Sequence, residues 1–582
     1  MRNRAHGRPA RIDLPMVGVL GRRGRMPVVE PLFERGSKFE VSRGKEGKGR
    51  YGDLVLVGPG KGGARVNRVI GRPDVARDVV EGLMLDRGLR RSYPRRAETE
   101  AMEVAAEPPA GGPRTDLTAL PTFTIDPDDA RDFDDAISAE RLGGGAVRLW
   151  VHIADVTAFL RPGGALDKEA LRRGTSTYVP GAVEPMLPEL LSNGECSLRP
   201  GEDRLAVTVE IDIAGVDVRR VAFHRSVVRS DKRLTYGEVD AVFAGQTRAE
   251  DLWGEPLAAA REVARALRQR REQRGALEIN SLEPSFEFDS AGNVVGVRHE
   301  AQTESHTLIE ELMILANEQV ATYLADRKLP TLYRVHEKPD PLKVEAMVEK
   351  LAALEVPVPA TPARMSPQQA ADIAAEVSRM AAEYSRKHGR GAEAFGSMVL
   401  RSLKQAYYTP RSLGHAGLAS PRYCHFTSPI RRYPDVVAHR ALLAGLGLDD
   451  VAPRAHDLDD LGLMTSEAER GAMKIERSAD DVCLAFLLER RLSEAGVGED
   501  PVTWQGEVVG LIPAGWFVRF GEEGFEGMLP VRRVPGWWNP DEHESQLIDG
   551  NSGRAIRLGD PIEVTVGSIE AARGRVDLDL AV

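Results

Sequence analysis

The chain has 582 residues, enough for about four domains of average size. Hydrophobic residues make up 42% and charged residues 29%, as in ordinary globular proteins, and no run of 18 apolar residues occurs. We therefore expect no membrane-spanning helix and a cytoplasmic location, and the net charge of −10 argues at first against a nucleic-acid-binding protein.

The N-terminal region carries the opposite charge. Residues 1–72 hold 17 Lys and Arg against 6 Asp and Glu, a balance of +11 that leaves −21 for the rest. Because long anionic partners bind to local basic surfaces, this start is compatible with nucleic acid. Residues 1–13 are predicted to be a basic arm, for which a disordered solubilising segment is the alternative. Residues 14–72 contain short alternating segments broken by glycine, which predict a small OB-type barrel of the cold-shock kind.

The middle of the chain changes from strands to helices. Residues 73–120 are predicted to be a connecting segment, because 93–120 are poor in large apolar residues and contain several Pro and Gly. From 121 to about 230 apolar and polar residues alternate, and from about 255 the apolar spacing becomes helical. This order predicts an α+β domain over residues 121–450.

The last part of the chain returns to short strands. Residues 451–501 are predicted to form a helical tail of the catalytic domain. Residues 502–582 contain short apolar segments separated by glycine and predict a second OB-fold barrel.

An acidic run is the most informative feature of the chain: Asp126, Asp132, Asp134 and Asp135 lie within ten residues. Carboxylates this close together repel one another and are not expected to stay ionised together unless a cation joins them. Hard oxygen ligands of this charge suit Mg²⁺ or Mn²⁺. Such a site commonly handles phosphates, because the metal neutralises charge that develops on phosphate oxygens. The run therefore predicts a divalent-cation site.

The acidic run has two alternative interpretations. A solvated loop is the first, but the run lies between apolar residues such as Phe123 and Ile137, a frame that a solvated loop does not need. A calcium-binding EF-hand loop is the second. It requires Gly at its sixth position and Glu at its twelfth, and counting from Asp126 these are Arg131 and Ile137. The EF-hand interpretation is excluded.

Residues 425–435 form the other unusual segment. Pro434 is predicted to lie in the first turn of a helix, with Arg431 and Arg432 just ahead of its N-terminus. Backbone N–H groups and the positive end of the helix dipole face this point, so a guanidinium there completes a phosphate site. The alternative is that the two arginines pair with acids of the helix such as Asp435.

A third segment combines basic and aromatic residues. Arg401, Lys404 and Tyr408 are spaced i, i+3 and i+7 and are predicted to share one helix face. Arg401 and Lys404 would follow a phosphate backbone while Tyr408 packs, and an ordinary solvated face is the alternative.

Several segments occur in an order found in one enzyme family. Besides the acidic run and residues 425–435, they are residues 177–180, 185–188, 191–198, 332–339 and 400–406. With them the chain resembles the ribonuclease II / ribonuclease R family of exoribonucleases, which share the RNB catalytic domain. The resemblance is strong over residues 115–450 and weak at both ends.

The resemblance implies roles for individual residues. Asp126, Asp132, Asp134 and Asp135 match the family's Mg²⁺ site, with Asp135 as the indispensable member, and Arg431 matches the arginine that holds the scissile phosphate. Tyr178 matches the tyrosine that stacks on the 3′-terminal base. Glu310, or Glu311 in the alternative register, matches the acid that lines the terminal nucleotide pocket. The C-terminal barrel resembles an S1-type RNA-binding module. The remaining candidate RNA-binding residues are Arg432, Arg401, Lys404, Trp516, Phe517, Phe520 and Phe525.

The resemblance also implies an activity. We expect a monomer that hydrolyses single-stranded RNA from its 3′ end to nucleoside 5′-monophosphates by a Mg²⁺-dependent two-metal mechanism, with Asp126 and Asp135 in direct contact with metal. A catalytically inactive RNA-binding regulator on an RNB scaffold is the alternative, and it would be expected to lack acids or the arginine. The chain has room for one N-terminal barrel where larger members carry two, and it has no lysine-rich tail. Degradation of base-paired RNA therefore stays an open question.

Overall fold

The computed structural model describes residues 15–34, 38–42, 44–45, 47–60, 63–107, 112–276, 283–448, 451–495 and 502–581. The predicted basic arm, residues 1–13, lies outside the described residues. The fold is α+β: the predicted catalytic domain, made of sheet and helices, lies between two small all-β units. None of the helices in the described part of the chain has the length and apolar character that crossing a membrane requires.

The N-terminal unit is a five-stranded sheet of the predicted OB type. Its strands follow the order β3-β2-β1-β4-β5. They are Met16–Arg23 (β1), Met26–Pro31 (β2), Phe39–Glu40 (β3), Leu54–Gly60 (β4) and Gly63–Gly71 (β5). A parallel bridge between Val41 and Ala64 connects the end of β3 to β5 and curls the sheet around a small aliphatic core.

The segment after this unit is helical, which corrects part of the predicted connecting segment. Helices α1 (Ala76–Asp86) and α2 (Arg95–Ala106) occupy most of it. Ala97, Ala101 and Val104 of α2 are buried in the catalytic domain, so the residues read as a linker belong to its core. Small residues spaced i, i+4 and i+7 provide an apolar stripe although no large side chain is present.

The catalytic domain is built on a seven-stranded sheet with the order β14-β7-β8-β9-β12-β13-β6. The strands, with a separate hairpin β10–β11 and one helix α3, are Thr115–Asp116 (β6), Phe123–Asp126 (β7), Asp135–Arg141 (β8), Ala146–Ala154 (β9), Ala165–Arg173 (α3), Thr177–Val179 (β10), Ala182–Glu184 (β11), Asp203–Ala214 (β12), Asp217–Arg229 (β13) and Lys232–Thr235 (β14). The two edge strands β6 and β14 run parallel to their neighbours. In β12 the predicted alternation is present: Val207, Val209, Ile211 and Ile213 face one side, and both faces of this central strand are covered.

Helices cover both faces of the sheet. The elements that follow it are Tyr236–Phe243 (α4), Asp251–Gln273 (α5), Glu283–Phe288 (β15), Val294–Glu300 (β16), Glu304–Asp326 (α6), Tyr333–Val335 (β17), Pro341–Ala353 (α7), Pro367–His388 (α8), Ala392–Ser402 (α9), Tyr407–Thr409 (β18), Tyr433–Gly445 (α10) and Leu458–Ala495 (α11). Side chains of α5, α6 and α10 pack on one face, and α2 and α3 pack on the other. This layering explains why β9 and β12 have large aliphatic residues on one side and small or polar buried residues, such as Ala206, Thr208 and His152, on the other.

Helix boundaries follow the sequence signals. Ser366 caps α8 through a capping box with Gln369, and Pro367 occupies the first turn. Pro434 lies in the first turn of α10, as predicted. The placement of Arg432 at the cap of α10 therefore follows from the proline.

The long helix α11 connects the domains. Its 38 residues correspond to about 57 Å. It packs against β10, β16 and β18 of the catalytic domain and against α1. Its C-terminal half contacts the C-terminal unit, so one rigid element joins three parts of the molecule.

The C-terminal unit is a closed five-stranded barrel with the order β19-β20-β21-β26-β25. Its elements, including a small three-stranded insertion, are Thr503–Ile512 (β19), Gly515–Phe520 (β20), Phe525–Pro530 (β21), Trp538–Pro540 (β22), Gln546–Asp549 (β23), Ala555–Arg557 (β24), Pro561–Glu570 (β25) and Arg575–Leu580 (β26). The third and fifth strands pair in parallel, as in the N-terminal unit. Two units with one strand order confirm the prediction of OB-type modules at both ends.

Candidate active site and nucleic-acid interface

The acidic run connects two neighbouring strands of the central sheet. Asp126 ends β7, and Asp135 begins β8, which pairs with β7. The residues between them have no regular secondary structure, and Asp134 is 4% exposed while Asp126, Asp132 and Asp135 are half-buried. The four carboxylates thus lie at the ends of β7 and β8 and in the loop that connects these two strands.

Burial makes these carboxylates unusual acids. Burial, reinforced by the charge of Asp135, raises the pKa of Asp126 to about 7. Burial also raises the pKa of Asp135 to about 6, against the opposing charges of Arg431 and Arg432. The pKa of Asp134 lies well above its ordinary value for the same reason, although Arg431 opposes the shift. These acids are not readily ionised together, and a bound cation would relieve the repulsion between their carboxylates.

The four aspartates face different partners. Among the residues that the structure describes, no three Asp, Glu, His or Cys side chains stand in an arrangement that could hold a metal ion. Asp134 accepts hydrogen bonds from the Ile430 backbone N–H at 2.9 Å and from Arg431 Nε at 3.3 Å, and Asp132 accepts one from the Tyr178 hydroxyl. A shared metal site for all four therefore stays a prediction.

Asp126 and Asp135 fit a hard cation best. Oδ2 of Asp126 is buried and has no hydrogen-bond partner among the described residues, which is uncommon for a carboxylate oxygen. Asp135 is the neighbour whose charge most affects it. Carboxylate oxygens in this state match the ligand preference of Mg²⁺ and Mn²⁺.

Arg431 lies beside the acidic run, as predicted. It occupies the turn before α10, where its Nη2 donates to Ser428 Oγ at 3.1 Å and its Nε donates to Asp134. Its backbone carbonyl accepts from the Ser176 N–H, which ties this turn to the start of β10. The side chain is 46% exposed, so the rest of the guanidinium is free to meet an anion.

Arg432 has a different role from the one predicted. Its guanidinium donates to both carboxylate oxygens of Asp435, Nε to Oδ2 at 2.9 Å and Nη2 to Oδ1 at 2.8 Å. Asp435 is fully buried and also accepts from the Ser428 N–H. A bidentate pair at the base of the turn supports the fold of residues 428–435, which was the alternative interpretation. The substrate-binding role of Arg432 is not supported.

Tyr178 presents an aromatic surface next to the acids. The residue is 39% exposed on the hairpin β10–β11, and its hydroxyl donates to Asp132 Oδ2 at 2.9 Å. Its backbone N–H donates to Glu476 Oε1 of α11 at 2.9 Å. The hairpin is therefore fixed from two sides, with the ring partly open to a base.

Glu310 is better placed than Glu311 to meet a ligand. Arg271 pairs with both carboxylates, but the Glu311 side chain is 2% exposed and that of Glu310 is 34% exposed. Glu310 lies one helical turn after His306. The His306 ring stacks on Tyr236 at 3.7 Å between centroids.

Tyr236 is a residue of this site that the sequence analysis missed. It begins α4 directly after β14, whose last residue, Thr235, pairs with Asp126. Burial and the charges of Asp135 and Asp126 raise the pKa of its hydroxyl, and Arg431 opposes the shift. No local motif marks this tyrosine, because the pairing of β14 with β7 brings it to the site from more than 100 residues away.

The chain is similar to known proteins over most of its length. The RNB domain family matches residues 114–447, more than half of the chain. Ribonuclease R of Aquifex aeolicus is 34% identical over 558 residues, which cover 94% of this chain and 76% of the relative. The chain belongs to the RNB family. Ribonuclease R of Vibrio parahaemolyticus is 33% identical over 558 residues and that of Escherichia coli is 35% identical over 495 residues, with 91% and 82% of this chain covered. The chain spans 65% and 58% of the length of these two relatives.

Solved RNB structures share the fold. Mycoplasma genitalium RNase R in complex with ribose-methylated single-stranded RNA superposes with a TM-score of 0.85 at 23% identity, covering 98% of this chain and 90% of that one. Yeast Ssd1, a pseudonuclease, superposes with a TM-score of 0.67 at 17% identity, covering 92% of this chain and 68% of that one. At these identities the similarity concerns the fold.

The predicted helix face of Arg401, Lys404 and Tyr408 does not exist in this RNB chain. Helix α9 ends at Ser402, so Arg401 is its last turn, Lys404 is in the following loop and Tyr408 is in strand β18. Lys404 Nζ pairs with Glu337 at 2.7 Å, and the buried Tyr408 hydroxyl bonds His425 Nδ1 at 2.8 Å. Arg401 and Lys404 are both exposed, but the spacing predicted one continuous helix and was wrong.

Three of the four aromatic candidates in the RNB chain's C-terminal barrel are core residues. Trp516, Phe520 and Phe525 are at most 2% exposed and form the barrel interior, so they are not available for base stacking. The alternation along β20 places Phe517 on the other face, where it is half-buried. Phe517 remains the barrel's candidate stacking residue. Trp537, which no sequence pattern marks, is 70% exposed at the edge of the small insertion.

Proposed function

We propose that this chain is a 3′-to-5′ exoribonuclease that hydrolyses single-stranded RNA to nucleoside 5′-monophosphates with Mg²⁺ or Mn²⁺ as cofactor. The observation that carries the proposal is the position of Arg431. Its half-exposed guanidinium is fixed on Asp134 and Ser428 at the same edge of the sheet as the Asp126–Asp135 pair. A half-exposed guanidinium beside carboxylates that resist joint ionisation is suited to phosphodiester chemistry.

The comparisons support the class of substrate. The relatives at 33–35% identity are ribonuclease R enzymes, and this chain spans about three-fifths of two of them. The Mycoplasma genitalium enzyme with the same fold has been solved with single-stranded and with double-stranded RNA. We infer that this chain acts on RNA as well.

Each residue of the site receives a defined task. Asp126 and Asp135 would hold the cation, which when bound activates water and neutralises charge on the phosphate. Arg431 donates to the phosphate oxygens and stabilises the negative charge that grows there during hydrolysis. Asp134 keeps the guanidinium in place, because it accepts from Arg431 Nε and also from the backbone N–H of Ile430 in the same turn.

Tyr178 and Glu310 would hold the end of the RNA. Base stacking on Tyr178 contributes about 1–3 kcal/mol and tolerates any base, so the enzyme would trim without sequence preference. Asp132 orients the ring through the hydroxyl hydrogen bond. Glu310, on the helix face that carries His306, would contact the terminal ribose, whose 2′-hydroxyl distinguishes RNA from DNA.

An inactive RNA-binding regulator is the second candidate, because the RNB-type fold also occurs in Ssd1, a pseudonuclease. This chain keeps Asp126, Asp132, Asp134, Asp135 and Arg431, which such a regulator does not need. The retained residues favour the enzyme.

The two candidates are separated by a time course with 5′-labelled single-stranded RNA in Mg²⁺ and in EDTA. We expect label to remain on progressively shorter fragments in Mg²⁺ only, and Asp135→Asn to abolish shortening. Asp129→Asn is the matched control, because Asp129 is an exposed acid of the same loop. Immediate release of label as a mononucleotide would contradict the polarity, and RNA binding without any shortening would favour the regulator.

A further inference from the structure

The acidic loop is held by a side chain that the proposed mechanism does not use. Arg233 lies on β14, opposite Thr124 of β7, in the parallel pair at the edge of the sheet. Its Nη2 donates to the backbone carbonyls of Pro127 and Asp128, the latter at 2.8 Å. These two carbonyls come directly after Asp126, so one guanidinium fixes the chain where it leaves β7.

The same guanidinium contacts the other limb of the loop. It packs over the Phe133 ring at 5.5 Å from the centroid, and Phe133 separates Asp132 from Asp134. A planar cation on an aromatic face favours one orientation of both groups. Arg233 therefore spans the loop and fixes the distance between its two acidic ends.

Ser197 completes the attachment from the opposite side. The Phe133 backbone N–H donates to Ser197 Oγ at 3.0 Å, and that hydroxyl donates to the Arg131 carbonyl at 2.8 Å. The Leu198 N–H donates to the Phe133 carbonyl at 3.0 Å. The residues around Asp132 are thus fixed by backbone and hydroxyl bonds although they form no helix or strand.

Arg233 also adds positive charge near the acids without pairing with a carboxylate. Among the described residues it forms no ion pair with an acid: its Nη2 bonds two carbonyls, and its buried Nε has no hydrogen-bond partner there. The side chain thereby brings positive charge to the acidic loop, and Oδ2 of Asp126 keeps no hydrogen-bond partner among the described residues.

We propose that Arg233 is a positioning residue, which sets the geometry of the carboxylates at both ends of the loop and so their affinity for a divalent cation. This inference rests on the proposed function, because it assigns a cation to these acids. Groups that orient the ligands of a metal typically change its affinity by about 10- to 100-fold when they are removed.

Arg233→Lys and Arg233→Gln test the role. Lysine keeps the charge but cannot donate to two carbonyls while it lies flat on Phe133, and glutamine keeps two N–H donors without charge or reach. The matched control is Arg229→Lys, because Arg229 is a nearby arginine that pairs through its guanidinium with exposed Asp203. Thermal denaturation of each variant verifies that it is folded.

The primary measurement is Mn²⁺ binding to the RNA-free protein, followed by electron paramagnetic resonance of the free ion. We expect both Arg233 variants to bind Mn²⁺ at least 10-fold more weakly, with RNA binding in EDTA unchanged within twofold and Arg229→Lys equal to wild type. Wild-type Mn²⁺ affinity in a folded Arg233 variant would overturn the inference, as would an equal loss in Arg229→Lys or no Mn²⁺ binding by the wild-type protein.

The same data separate this inference from the proposed function. A wild-type protein that binds Mn²⁺ through Asp126 and Asp135 but shortens no RNA would contradict the nuclease only. A nuclease whose Arg233 variants keep full Mn²⁺ affinity would contradict the positioning role only. Ser197→Ala provides a second perturbation of the same loop, and unchanged affinity in both positions would overturn the inference.

Discussion

Cation binding should depend steeply on pH between 6 and 8. Burial and the charge of Asp135 raise the pKa of Asp126 to about 7, and burial raises that of Asp135 to about 6. Only ionised carboxylates bind the cation, so protons compete with it. Because both pKa values are raised, affinity is full above pH 8 and is lost as the pH falls through 7 and then 6.

The size of the effect follows from the two values. At pH 8 both carboxyls are about nine-tenths or more ionised, whereas at pH 6 Asp126 is about one-tenth and Asp135 about one-half ionised. Because the charge of Asp135 helps to raise the pKa of Asp126, the two ionise in sequence; the fraction with both ionised falls about 20-fold, and so does the apparent affinity. An unshifted aspartate with a pKa near 3.9 would lose almost nothing over this range.

Calorimetric Mn²⁺ titrations of the RNA-free protein at half-unit pH intervals measure this dependence. We expect the dissociation constant at pH 6 to be about 20-fold higher than at pH 8, with the same trend in the Mg²⁺ concentration that half-saturates hydrolysis. Asp126→Asn should remove the step near pH 7, and Asp129→Asn should leave the curve unchanged. A dissociation constant that is equal at pH 6 and pH 8 would refute the assignment of these acids as cation ligands.

Substitutions at three other positions test individual residues. Arg431→Ala should lower the single-turnover rate by about 10²- to 10³-fold with little change in RNA affinity, and a near-normal rate would remove its catalytic role. Arg432→Ala should instead lower the unfolding free energy by about 3–5 kcal/mol in denaturant melts, because it leaves buried Asp435 without its partner. A stable, folded Arg432→Ala variant would contradict that structural role. Tyr178→Ala should weaken binding of the RNA 3′ end by about 1–3 kcal/mol and change the length of the final oligomer, whereas Tyr178→Phe should keep the stacking; identical end products on a sequencing gel would count against it.

The site could be predicted where its residues are close in sequence. The four aspartates are one local run, and the segment with Arg431 has a proline that sets the helix start. Tyr236 and Arg233 could not be found in this way, because they come to the acids through the parallel pairing of β14 with β7. No spacing in the chain announces a pairing between strands that are about 110 residues apart.

Two wrong predictions had signals that were available. Trp516 and Phe520 alternate with Phe517 along β20, so at most one of the two faces could meet a base. The aromatic content suggested RNA binding, but the closed barrel needs large side chains for its interior. Likewise, Ala97, Ala101 and Val104 have the spacing of one helix face in α2. This spacing does not stand out in the sequence, because residues 93–120 contain few large apolar residues.

The predicted face of Arg401, Lys404 and Tyr408 failed for a different reason. A periodic spacing is informative only while the helix continues, and α9 ends at Ser402. Its cap at Leu403 is extended, and the chain then enters β18 against β17. Pairing with a distant strand decided this boundary, which local sequence does not encode.

The most direct test is a crystal structure with Mn²⁺ and a short, hydrolysis-resistant single-stranded RNA bound to Asp135→Asn and to wild-type protein in separate crystals. The account predicts an anomalous peak within about 2.0–2.4 Å of carboxylate oxygens of Asp126 and Asp135 in the wild type, with the terminal phosphate on Arg431 and a base on Tyr178. It predicts a weakened or missing peak in Asp135→Asn. A wild-type crystal with RNA bound elsewhere, or with no cation at these carboxylates, would contradict it.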